Sequence, residues 1–285
     1  MTPLAWFLPP STWPWIGRAL IPFLTRLTPG GARASIERIA GLIGRGPAAT
    51  SPESIFVEAK CGYFEEQLQL LRAYRPGGFA PEIRVAGVEH LDAALARGRG
   101  AILWIGHFTF YSLVPKIALY RLGVSVSHLS HPRHGFSGTR FGMRVLNPVR
   151  GRMEGRYVRE RVLLSSDGAV AAMWTLRRRL QDNGVVSITV REEAQRPVPV
   201  PFMNGTIRLA AGAPDLAYSS GAALLPVFPV RAPDGSFRVA IEAPIALPAG
   251  MARAGAVEAA LGQYAQLLAR YVRDTPGQWR GWFHQ

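Results

Sequence analysis

With 285 residues, 48% of them apolar, the chain has material for a sizeable core and is not of the disordered class. Its single cysteine, Cys61, excludes an internal disulfide framework. The net charge of +14 is carried almost entirely by arginine, Lys60 and Lys116 being the only lysines, so the admitted partners are anionic lipid, an acidic carrier protein or nucleic acid.

Leu4 to Leu27 is rich in Trp, Phe, Leu and Ile and approaches the roughly 20 apolar residues that a spanning helix needs. Pro9, Pro10, Pro14 and Pro22, with Arg18 and Arg26, argue against such a helix. No basic region precedes the run and no small-residue cleavage site follows it, so a signal peptide is not expected. Trp6, Trp13 and Trp15 suit a headgroup layer, with Arg18, Arg26 and Arg33 placed to meet anionic lipid. The segment reads as an interfacial anchor, or as a helix packed over the protein's own apolar groove.

Ser35 to Gly44 and Pro52 to Tyr74 read as helices, the second with Ile55, Phe56, Ala59, Tyr63, Leu68 and Leu71 near helical spacing. Arg75-Pro-Gly-Gly stops it. Strands are expected at Ile83 to Val88, Ala101 to Ile105, Val124 to His128, Val185 to Val190 and Leu224 to Val230, with an edge strand at Phe237 to Glu242. Helices are expected at Glu89 to Arg97, Tyr111 to Leu122, Ala169 to Leu180, Ile207 to Ser219 and Ala254 to Arg273. This alternation predicts an α/β protein with a mixed, mostly parallel sheet flanked by helices. The expected organisation is an apolar segment over 1–34, a helical region over 35–78 and an α/β domain over 79–285.

The stretch AILWIGHFTFYS, Ala101 to Ser112, carries the chemistry. An apolar strand ends at Gly106, so His107 falls at a strand's carboxyl end, where ligands bind in open α/β sheets. An imidazole there can take a proton from a substrate hydroxyl, or it can be a hydrogen-bonded structural histidine. His128, His131 and His134 offer three metal-type ligands, but Pro132 breaks any helix that would align them, and no metal is expected. Arg133, Arg140, Arg144, Arg150, Arg152, Arg156, Arg159 and Arg161 form a basic run. It suits phosphate, with Arg140 and Arg150 as substrate-binding candidates, or is a solvated face. Glu192 and Glu193 follow a strand and either orient an imidazole or pair with arginine. VPVPFMNGTIRL reads as a turn entering a helix, with Thr206 as N-cap. Amides near Gly205 and Thr206 are expected to receive an anion or oxyanion, with Phe202 and Arg208 as further substrate contacts.

VEHLDAALARGRGAILWIGHF resembles the lead-in of the bacterial lipid A biosynthesis acyltransferases, the lauroyl/myristoyl branch of the lysophospholipid acyltransferase superfamily. LRRRLQDNGVVSITV, VPFMNGTIRLAAGAPDLA, LLPVFPVR and YVRDTPGQWRGWFHQ continue the resemblance in order, over roughly Ser35 to Gln285. It implies a glycerolipid acyltransferase-like fold and a histidine followed five positions later by Asp or Glu. His107 supplies the first half. Position 112 is Ser, which hydrogen-bonds a ring nitrogen but cannot neutralise imidazolium.

The resemblance implies a peripheral enzyme at the cytoplasmic face of the bacterial inner membrane. It would move an acyl group from acyl carrier protein or coenzyme A to a lipid-like acceptor, with no cofactor beyond that thioester. His107 would be the base, supported by Ser112, Glu192 or Glu193. The alternative is a degenerate relative that binds lipid or carrier protein without efficient transfer. Nucleic acid is not an expected partner, because no recognised module accompanies the charge.

Overall fold

The computed structural model describes residues 6–27, 29–44, 51–73, 78–130, 144, 147–164, 169–190, 197–248 and 250–283. The chain forms two compact units. A helical unit holds Met1–Ala80, Pro199–Arg208 and Ala265–Gln285, and a sheet unit holds Pro81–Val198 and Leu209–Tyr264.

In the helical unit a short 3-10 turn, Pro10–Thr12, leads into α1 (Trp13–Leu27), α2 (Pro29–Ile43) and α3 (Pro52–Arg72). Helix α2 starts earlier than the expected Ser35, because proline at a first helical position lacks only an N–H that would have no helical partner. Ser51 caps α3, its hydroxyl accepting from the Ser54 amide at 3.2 Å, and Pro52 takes the first helical position. Buried Trp13, Phe64 and Leu68 form a cluster ringed by Leu8, Ile16, Ile21 and Leu71. On the outside, Phe7, Trp15 and Phe23 are 82%, 72% and 57% exposed. Among the described residues no helix is long and apolar enough to cross a membrane.

Residues near the C-terminus complete this unit. Arg280, buried, donates to the buried Glu66 carboxylate and lies over the Tyr63 ring, 4.4 Å from its centre. The Lys60 ammonium is 4.1 Å from the centre of the Phe283 ring, and burial together with Arg280 lowers its pKa. Burial is also the main cause that pushes the neighbouring Cys61 thiol up to about 11. Trp279 stands 5.2 Å from Phe202 and 4.5 Å from Trp282, ring centre to ring centre.

The sheet unit contains β1 (Ile83–Ala86), α4 (Val88–Ala96), β2 (Ala101–Ile105), α5 (Val114–Arg121), β3 (Val126–Ser130), α6 (Asn147–Gly155), β4 (Glu160–Leu163), α7 (Ala169–Gln181) and β5 (Val185–Thr189). The chain continues through a hairpin, β6 (Pro197–Phe202) and β7 (Gly205–Ala210), most of which belongs to the helical unit, to α8 (Gly212–Ser220), β8 (Ala223–Arg231), β9 (Phe237–Ile241) and α9 (Arg253–Asp274), which belongs to the helical unit from Ala265 onward. Seven strands form one sheet in the order β1-β9-β8-β2-β5-β3-β4. Every neighbouring pair is parallel except β8 with β9, so the sheet is the mixed, mostly parallel one expected.

Three expectations are corrected. Phe237–Ile241 is not an edge strand: it pairs with β1 on one side and β8 on the other, and only Arg238 interrupts its burial. The edges are β1 and β4, four residues each. Helix α6 and strand β4 occupy a stretch read as loop, because arginines and glycines dilute its apolar pattern. The expected helix from Ile207 is strand to Ala210 and helix only from Gly212. Val200, Phe202, Ile207 and Leu209 are buried while Pro201, Thr206 and Arg208 are exposed, a period of two that marks a strand pair. Met203, at φ 52°, makes the turn between them.

Strand β2 is the core of the sheet unit, each of its five residues at most 1% exposed. Trp104 packs at 4.0 Å on Tyr264, which also stacks on Phe228 at 5.6 Å. At the foot of the sheet, Asn183 accepts from the Gly100 amide at 2.9 Å and donates to the Leu95 carbonyl at 3.0 Å. Gly100 has φ +69°, and a Cβ there would lie 2.6 Å from the Gly184 carbonyl, so only glycine fits.

The Arg280–Glu66 pair sets a stability expectation. Arg280→Met removes the cation from a buried ion pair and lowers unfolding free energy by about 3–5 kcal/mol, whereas Arg280→Met with Glu66→Met recovers most of it. Urea denaturation followed by circular dichroism measures both.

Candidate active site

The upper end of β2 is held from both sides. The Val190 amide donates to the Ile105 carbonyl at 2.9 Å, and the Gly106 amide donates to the Val227 carbonyl at 2.8 Å. Gly106 is packed too tightly for a side chain: a Cβ would lie 2.7 Å from Phe228 Cδ1 and 3.3 Å from Phe108 Cδ2. His107 therefore leaves the sheet from a fixed point at its carboxyl edge. Its ring is partly buried and meets Tyr111 edge-on, with centres 4.3 Å apart at 83°.

The chain then turns sharply. Phe110 has φ 64°, a left-handed conformation that costs an aromatic residue about 1–3 kcal/mol, and it is held there by a ring contact with Phe237 at 5.0 Å. The Val114 amide donates to the Phe110 carbonyl at 3.0 Å, and regular helix begins at Val114 rather than the expected Tyr111. Ser112 sits inside this turn and is 2% exposed.

Four residues beyond Ser112, Lys116 buries its ammonium and donates to Glu154 of α6 at 2.6 Å; Lys116 is 2% and Glu154 0% exposed. This pair was missed in the sequence. Its one signal was a lysine inside the otherwise apolar helix VPKIAL. On the same face of the sheet, His128 Nδ1 is 2.8 Å from the Ser187 hydroxyl and Arg161 donates to the Ser130 hydroxyl at 2.7 Å. On the opposite face, Glu160 accepts from Arg179 at 2.6 Å and from Ser127 at 2.7 Å. Arg179 foremost, with Ser127, holds the Glu160 carboxyl below its usual value. That contribution to stability is present at neutral pH and is lost as pH falls through the lowered value.

His107 and Ser112 thus share one connection, and Arg150 falls within α6. Glu192, Glu193, Arg140, His131 and His134 lie outside the described residues. His128 is engaged with Ser187 in mid-sheet, and the described residues contain no group of three metal-type ligands. Phe202, Gly205, Thr206 and Arg208 belong to the helical unit, where Phe202 is buried against Trp279 and Thr206 and Arg208 are exposed. Because Thr206 lies in β7 it caps no helix, and the helix N-terminus expected to supply amides near Gly205 and Thr206 does not exist there.

A family model described as bacterial lipid A biosynthesis acyltransferase matches residues 72–285. The chain belongs to that family. The match takes in β2, His107 and the turn to α5, and membership implies acyl transfer with a lipid acceptor. A search of curated proteins finds no match to the chain.

In this acyltransferase the packing at Gly106 has a measurable consequence. Gly106→Ala pushes a methyl group into the Phe228 ring and costs about 1–3 kcal/mol. Phe228→Leu in the same chain restores part of the loss, read as thermal midpoints from circular dichroism.

Proposed function

We propose that this family member is a peripheral membrane acyltransferase. It moves a fatty acyl chain from a thioester, on acyl carrier protein or coenzyme A, to a hydroxyl or amine of a lipid-like acceptor of lipid A or glycolipid type. The observation that carries the reading is the position of His107, at the carboxyl end of a buried strand paired parallel on both sides.

The neutral imidazole accepts the acceptor's proton as the acceptor oxygen or nitrogen bonds to the thioester carbonyl carbon, whose oxygen takes the negative charge. Collapse of that intermediate breaks the carbon–sulfur bond, and the departing thiolate takes the proton from imidazolium. No acyl-enzyme is needed. A positioned base contributes about 10²–10⁴-fold. Ser112, with no charge of its own, supports the imidazolium less than a carboxylate does, and a weakened base follows.

Arg140 and Arg150 are the cations assigned to phosphate on donor or acceptor. Contact with a bilayer is supported by the outward Phe7, Trp15 and Phe23, which offer apolar and amphipathic surface, and the cytoplasmic face of the bacterial inner membrane is the one we propose.

A second reading rests on Ser112 itself. A buried, uncharged residue at the family's carboxylate position suits a relative that binds lipid or acyl carrier protein without efficient transfer.

Transfer from acyl carrier protein and acyl-coenzyme A to a panel of lipid and glycolipid acceptors separates the two. The wild type yields product, and His107→Ala lowers the rate by about 10²–10⁴-fold. A wild type that is silent, with activity appearing in Ser112→Asp, assigns the binding role instead. Independently, Trp15→Ser with Phe23→Ser lowers binding to phosphatidylglycerol-containing vesicles by about tenfold or more in a sedimentation assay.

A further inference from the structure

Packing around Gly106 fixes the backbone of His107 but not the direction of its imidazole, which turns about single bonds. A base that leaves its productive rotamer is lost to the reaction, and a misplacement of about 1 Å can cost roughly 10²-fold in rate. Selecting the rotamer is therefore a separate task from placing the residue.

The turn after β2 brings one side chain onto that ring. Phe108 and Phe110 are buried anchors, the first meeting Phe228 edge-on at 6.0 Å and the second meeting Phe237 at 5.0 Å. The Phe108 amide donates to the Gly106 carbonyl at 2.9 Å, the Tyr111 amide to Phe108 at 3.2 Å and the Leu113 amide to Phe110 at 3.2 Å, so the backbone is tied from Gly106 into α5. The left-handed conformation of Phe110, at φ 64°, persists only where the surroundings over-determine it. Tyr111 follows that bend, partly buried, and its ring meets the His107 ring at 4.3 Å and 83°. The segment between them is not helical, so the contact comes from the strained turn and not from the ordinary spacing of a helix face.

We propose that Tyr111 is a positioning residue for the base: its aromatic ring holds the His107 imidazole in the orientation from which it takes the acceptor's proton. The proposal rests on the thioester-transfer reading above. Perpendicular rings in contact favour that geometry through their quadrupoles, by about two- to tenfold in a rotamer equilibrium. Tyr111 does by packing the orienting half of what a carboxylate at position 112 would do, and leaves out the charge. The ring and not the hydroxyl does the holding, so phenylalanine substitutes for it and leucine does not.

The test takes two readouts from the full chain. With isotopically labelled histidine, the imidazole proton signals of His107 are assigned by their loss in His107→Ala. The Tyr111 ring current displaces them from the position of a free imidazole; the displacement stays in Tyr111→Phe and collapses in Tyr111→Leu. In transfer assays Tyr111→Leu lowers kcat by about five- to tenfold with KM changed less than about twofold, Tyr111→Phe keeps kcat within about twofold of wild type, and Tyr111→Leu adds nothing to the loss caused by His107→Ala. His107 signals that Tyr111→Leu leaves in place overturn the proposal. So does a Tyr111→Phe as slow as Tyr111→Leu, which gives the role to the hydroxyl. Equal losses from Tyr111→Leu with and without His107 overturn it too, and make the residue a structural one. If no donor and acceptor support transfer, the catalytic reading fails by itself, and signals displaced in wild type and Tyr111→Phe but not in Tyr111→Leu still assign Tyr111 to holding His107.

Discussion

The parallel pairing of β2 on both sides is the constraint on which the candidate site depends. Parallel neighbours cannot be joined by tight hairpins, so each connection crosses over and returns, and the carboxyl ends of β2, β5, β3 and β8 gather on one edge. Burial of every β2 residue then fixes the strand's height, and the Val190 and Val227 hydrogen bonds carry that order up to Gly106. The Trp104, Tyr264 and Phe228 rings close the opposite side, leaving no room for Gly106 to shift. The position of His107 is thus set by packing below it, not by the loop that follows.

The turn that holds Ser112 leads into a helix carrying a buried ion pair. Lys116 and Glu154 already neutralise each other in a site with almost no solvent, where an unpaired charge is expensive. A carboxylate at 112 would put a further charge at a position only 2% exposed, where it needs a partner. Serine fills that position without adding a charge. Under the proposed function, the consequence is weaker support for the imidazolium when a proton arrives.

What could be read in the sequence was what local pattern controls. The five apolar residues before Gly106 announced β2 and placed His107, and helical spacing from Ile55 to Leu71 announced α3. The hairpin through Phe202 and Ile207 was misread because its turn uses Met203 in place of a glycine and opens directly into a helix. Strand β9 looked like an edge because its flanking strands are set by distant pairing. The Lys116–Glu154 pair joins residues 38 apart through a basic stretch with little periodicity, so nothing local connected them.

The helical unit is assembled from both ends of the chain, with Glu66 and Arg280 separated by 214 residues. During synthesis at about 5–20 residues per second, roughly 10 to 40 s pass before the guanidinium that balances Glu66 exists. Over that interval the first helices are without the Arg280 and Phe283 side chains that pack on Tyr63 and Lys60. The contacts that Arg280 and Phe283 make with α3 can form only after the whole sheet unit has been synthesised.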